Sequence, residues 1–117
     1  MRFAVLAVLT AILAAPVSAD GFAKISKKSD FVSLIDGRDL QRFGIKLNVT
    51  PEGQISGKAF GTEVVGAWRW QNGYFCRDLY WGSRDLGPNC QTVKIQDNTL
   101  RFIADRGRGD QADFALK

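Results

Sequence analysis

The chain has 117 residues, 45% of them hydrophobic, with 16 Lys+Arg against 12 Asp+Glu and no histidine. The missing histidine removes Ser-His-Asp and Cys-His nucleophile pairs and the usual nitrogen ligands for metals. A formal net charge of +4, with basic residues scattered among acidic ones, gives nucleic-acid binding little support.

Arg2 supplies a positive start, and Phe3 to Ala15 is uncharged and almost wholly apolar. Pro16 ends that run, and Val17-Ser18-Ala19 offers small side chains where a signal peptidase reads. Residues 1–19 therefore read as a secretory signal peptide cleaved after Ala19. The run is too short to cross a bilayer, which needs roughly 20 apolar residues. The expected location is periplasmic or secreted, with membrane contact only through the cleaved signal peptide. Residues 20–117 then form a single β-rich domain. Without Arg2 it carries 15 Lys+Arg against 12 Asp+Glu, a mild excess. A domain of this size buries only about 60–70% of its unfolded surface, so a covalent staple helps.

Asp20 to Lys28 is polar and reads as loose chain. Ser29 before Asp30, Phe31, Val32, Leu34 and Ile35, with Gly37 beyond, predicts one short helix with a serine N-cap and a glycine stop. After Arg42 the texture is that of strands. Ile45 to Val49 alternates apolar and polar residues, and Thr50-Pro51-Glu52-Gly53 is a turn. Ile55 to Phe60 is the return strand, followed by Glu63 to Gln71. Asn72-Gly73 is a strong two-residue hairpin signal, because both residues tolerate positive φ. Tyr74 to Trp81 is its partner. Gly82 to Asn89 is a loop, Cys90 to Gln96 and Thr99 to Ala104 form another hairpin, Arg106 to Asp110 is a polar turn, and Ala112 to Leu116 closes the chain. The expected fold is mainly β: a small antiparallel meander or barrel-like sheet with one short N-terminal helix.

The Asn72-Gly73 turn fixes a register in which Gln71 faces Tyr74, Trp70 faces Phe75, Arg69 faces Cys76 and Trp68 faces Arg77. Alternation then puts Trp68, Trp70, Phe75, Arg77, Leu79 and Trp81 on one face, the core side. Cys76 projects from the other. Cys76 and Cys90 are an even pair in an exported chain and read as one disulfide, worth roughly 3 kcal/mol for a loop of about 15 residues. The bond ties the strand to the loop before Cys90 over the outer face. Arg77 has three readings: stacked on Trp68, snorkelling at a barrel mouth, or holding an anion in an aromatic-lined cavity. Trp68, Trp70 and Trp81 are either core or a binding platform, and with Arg77 they are the candidate ligand-binding residues.

Asp78 with Asp85, and Asp36 with Asp39, are the carboxylate pairs that an enzyme without histidine would have to use. Gly53, Gly57 and Gly61 lie among strand residues and not at a phosphate-binding strand-to-helix turn. Asp105 to Asp113 lacks a calcium-loop pattern, and no cofactor or metal site is expected.

The segment Gly66 to Arg77, with Leu86-Gly87-Pro88-Asn89-Cys90 after it, carries the pattern G-x-W-x-W-x-x-G-x-F-C-R followed by a second cysteine. It resembles a group of short exported bacterial proteins of a domain family of unknown function. The likeness runs from about Gly37 to Ala104 and implies a periplasmic β-rich domain. Chains of this look are sometimes labelled dihydrodipicolinate reductase. That enzyme's nucleotide-binding glycine motif and histidine pair are absent here, and so short a chain cannot hold its two domains. The expected role is non-catalytic binding of a small ligand or envelope component. The alternatives are an inhibitor or accessory protein of an envelope enzyme, and an enzyme using carboxylates alone.

Overall fold

The computed structural model describes residues 19–117. The expected signal peptide lies outside the described residues except for Ala19. Ten strands and one regular helix follow in the order β1 (Ala23–Ile25), α1 (Lys28–Ile35), β2 (Asp39–Arg42), β3 (Ile45–Val49), β4 (Gln54–Ala59), β5 (Thr62–Gln71), β6 (Tyr74–Trp81), β7 (Arg84–Asp85), β8 (Asn89–Gln96), β9 (Thr99–Ile103) and β10 (Gln111–Leu116). All pairings among the described residues are antiparallel.

Strands β2 to β6 form a meander, β6 pairs with β8, and β8, β9 and β10 lead back to β2. The result is a closed eight-stranded barrel, with β1 and β7 as short additions on β8 and β6. Closure removes the exposed edges that would otherwise invite pairing with other chains. The expected central register is present: Trp68 lies opposite Arg77, Trp70 opposite Phe75 and Gln71 opposite Tyr74. Asn72 at φ 54 and Gly73 at φ 81 make the turn that sets it. Gly57 is needed for a different reason. At φ 144, a Cβ there would run into the Lys46 carbonyl of the neighbouring strand.

Three strands fall where the sequence reads as loose, unassigned or loop. One is β7, which lies inside the expected Gly82–Asn89 loop and pairs with Tyr80 and Trp81 of β6. Ala23–Ile25 pairs with Val93–Ile95 of β8, and Asp39–Arg42 seats between β10 and β3. Two to four residues carry too little periodicity to be recognised alone, and their partners define them. The helix also starts before the expected serine cap. Lys27 is the N-cap and makes no side-chain cap, while Ser29 lies inside the first turn. Phe31 and Ile35, spaced i and i+4, are both fully buried, so packing sets the helix frame and overrides the cap. At the other end Gly37 has φ 71, and the Asp36 N–H returns to the Val32 carbonyl at 3.0 Å.

Phe31 seals one end of the barrel. Its ring lies 5.1 Å from Trp68, 5.2 Å from Trp70, 5.3 Å from Phe75 and 6.3 Å from Phe102. Replacing it with alanine at the centre of this aromatic group is expected to cost about 3–5 kcal/mol, read as a lower midpoint in urea denaturation.

Cys76 and Cys90 are bonded, and they are directly opposed on paired strands. The bond therefore joins strand to strand, not strand to loop. The polar turn expected at Arg106 to Asp110 belongs to a bridge that folds back over β8 on the same outer side. Asp105 and Arg106 adopt φ 55 and 56, and Gly107 packs against buried Thr92. Cys76 is only 2% exposed although it points away from the barrel interior. The β6–β8 pairing spans three residue pairs, so the disulfide reinforces a short seam in the barrel wall. Replacing both cysteines by alanine is expected to cost about 3 kcal/mol in denaturant unfolding.

On the outer face of β9 and β10, Arg101 donates to Asp113 from Nε at 2.7 Å and from Nη2 at 3.0 Å. Its Nη1 reaches Asp20 at 3.1 Å, and its guanidinium covers the Phe22 ring at 3.8 Å. The Arg101 hydrogen bonds hold the Asp113 carboxyl below its ordinary value. A carboxyl depressed in the folded state stabilises at neutral pH, and that contribution disappears as pH falls through its lowered value. Asp113→Asn is therefore expected to flatten the loss of stability between neutral and acidic pH, measured by urea unfolding across that range.

Candidate functional site

The barrel interior is built by alternation. Leu40 and Arg42 of β2 share a face with Ile45, Leu47 and Val49 of β3, and the same face continues around the wall through Ile55, Phe75, Arg77 and Leu79. An eight-stranded barrel is just wide enough to be filled by side chains or to hold one small ligand. Both conditions occur here, one at each end. Near the Asn72-Gly73 turn, α1 fills the interior with Phe31 and Ile35. Toward the opposite end, an apolar cavity of about 190 Å³ remains.

Phe75 and Phe102, 5.2 Å apart, form part of the cavity lining where it meets the aromatic group around Phe31. Leu47, Ile55, Leu79 and Phe114 make much of the wall. Arg77 and Gln91 are the polar residues among the lining. The Arg77 Nη1 donates to the Gly87 carbonyl at 2.7 Å, which ties the loop after β7 to the cavity. Burial lowers the Arg77 pKa, while the neighbouring Asp78 charge opposes that shift. The group stays a cation because a guanidinium is not deprotonated in proteins. A second guanidinium, Arg42, lies 5.6 Å from the ring of Phe114, itself a wall residue. Among the described residues, no inward-facing strand position holds a carboxylate. The interior thus combines apolar walls with positive charge and no internal counter-charge.

The four candidate ligand-binding residues are divided by this geometry. Arg77 lines the cavity. Trp68 is 6% exposed, stacks on Phe75 at 5.5 Å and donates its indole N–H to the Thr50 carbonyl at 2.9 Å. Trp70 packs on Phe31 and donates to the Ser26 carbonyl at 3.1 Å, fixing the link between β1 and α1. Trp81, at the open end, donates to the Ala59 carbonyl at 2.9 Å. Each indole N–H is thus spent on backbone, and Trp68 and Trp70 belong to the packed end. The cation over Trp68 is Lys28, at 5.8 Å, and Arg77 extends instead toward the Gly87 loop.

Two of these carboxylates have other partners: Asp85 accepts the Gly87 N–H at 2.8 Å and Asp39 meets Lys46 at 3.6 Å, while Asp36 is the exposed C-cap residue of α1, through its backbone N–H. Asp78 faces outward beside inward-facing Arg77. Arg42, Gln91 and Phe114 were not singled out from the sequence. Alternation would have placed Gln91 and Phe114 inside, whereas Arg42 lies in a strand too short to recognise.

No protein family, curated protein or solved structure matches this chain.

Proposed function

We propose that this is an exported, non-catalytic binding protein that holds a small hydrophobic anion, with the apolar body in the barrel cavity and the charged end at Arg77. The observation that carries this reading is a cationic side chain on an apolar cavity wall whose inward positions lack any carboxylate. An apolar cavity of about 150 Å³ accommodates a benzene ring, so 190 Å³ fits a single-ring or short-chain acid. Arg77 already donates one hydrogen bond to Gly87, and its remaining donors are suited to a carboxylate. The N-terminal sequence and the disulfide support a periplasmic or secreted location, since such bonds persist in oxidising compartments. The bacterial family resemblance of the central hairpin agrees with that setting.

Titration with benzoate and octanoate, alongside benzyl alcohol and octanol, tests the reading by calorimetry. The acids are expected to bind more tightly than the alcohols. Arg77→Gln should weaken the acids by about tenfold or more and leave the alcohols nearly unchanged. Equal affinity for acid and alcohol, or no binding of either, would sink it.

A further inference from the structure

The open end of the barrel carries apolar side chains that face solvent. Phe43, in the β2–β3 turn, is 93% exposed, Phe60, in the β4–β5 turn, is 63% exposed, and Leu86 after β7 is 45% exposed. They belong to one rim. The Phe60 N–H bonds to the Gly44 carbonyl at 2.7 Å, and a Cβ on Gly44 would collide with the Phe60 ring. The Leu86 loop is held at the same end by Arg77 through Gly87. Each apolar tip also has a cation one or two positions before it in the chain: Arg42 before Phe43, Lys58 before Phe60 and Arg84 before Leu86. All three cations are exposed, and the nearby acids are Glu63, opposite Lys58, Asp85, whose Oδ1 accepts the Gly87 N–H, and Asp113, which feels the Arg42 charge but is hydrogen-bonded by Arg101.

We propose that this rim docks on an anionic phospholipid bilayer. Phe43, Phe60 and Leu86 would enter the boundary between headgroups and acyl chains, while Arg42, Lys58 and Arg84 meet the phosphates. Apolar tips backed by basic side chains suit that interface, where burial of apolar surface and attraction to anionic headgroups add. Contact stops at the rim. Most outward strand positions are polar or charged, such as Gln41, Lys46, Ser56 and Asp78, with Val65 and Tyr80 as an exposed apolar pair, whereas a barrel that spans a membrane is apolar outside. The docked face is also the cavity end, but the docking rests on exposure and charge and holds whether or not the cavity is filled.

Vesicle co-sedimentation tests it, using protein processed by an exporting host with its N-terminus checked by mass spectrometry. Wild type is expected to sediment with vesicles containing phosphatidylglycerol, more weakly with phosphatidylcholine alone, and less as salt is raised. The double substitution Phe43→Ser with Phe60→Asn should reduce binding by at least tenfold. Asparagine tolerates the φ of 50 found at position 60, so the turn is kept. Arg42→Gln, Lys58→Gln and Arg84→Gln together leave both rings in place and should abolish the preference for the anionic lipid. Binding unchanged in the double variant, or no wild-type binding to either vesicle, would overturn the proposal. So would a wild-type dimer that becomes monomeric in the double variant, or an envelope protein captured by wild type alone. Those two results would assign the rim to a second copy or to a protein partner.

Discussion

The ring of Phe31 lies within 5.1–5.3 Å of Trp68, Trp70 and Phe75, and the rest of the barrel is arranged around that contact. A closed eight-stranded barrel has two ends, and one short helix can seal only one of them. By filling the end near Asn72-Gly73, Phe31 draws Trp68 and Trp70 into the packed core. Their indole N–H groups go to the Thr50 and Ser26 carbonyls, which fix the chain entering and leaving the neighbouring elements. The opposite end is left with aliphatic walls, Phe114, Arg77 and open space.

Closure has two short seams. The β10–β2 ladder pairs two residues and the β6–β8 ladder pairs three. The first is extended by the Lys117 N–H reaching the Asp39 carbonyl at 2.9 Å. The second carries the disulfide and is covered by the bridge through Asp105 to Gly107. A covalent link between opposed strands acts on one of the two shortest ladders of the barrel wall. It also spans the loop that delivers the Gly87 carbonyl to Arg77. The staple that stabilises a small domain therefore also helps shape the cavity mouth.

Charge follows the same division. On the outer wall, Arg101 is paired with Asp113 and Asp20, and Lys46 with Asp39. On the inner face, Arg77 has a carbonyl as its hydrogen-bond partner, while Arg42 at the exposed rim lies over the Phe114 ring and near the Asp113 charge. In the proposed binding role, the half-buried Arg77 guanidinium, with no carboxylate on the inner face beside it, would be what favours an acidic ligand over a neutral one of the same shape.

The sequence alone determined the β class, the central hairpin with its register, the disulfide pair and the inward face of β5 and β6. These depend on local signals: two residues that accept positive φ, period-two alternation and an even cysteine count. It did not reveal β1, β2 or β7, because two to four residues acquire strand character only from the strand they pair with. Nor could it separate the core tryptophans Trp68 and Trp70 from the cavity-lining Arg77 and from Trp81 at the open end. Trp68, Trp70, Arg77 and Trp81 share one face of one hairpin, and alternation treats them alike. Only the tertiary structure decided which end of that face the helix covers, since the choice depends on where α1 crosses the barrel and not on the hairpin itself.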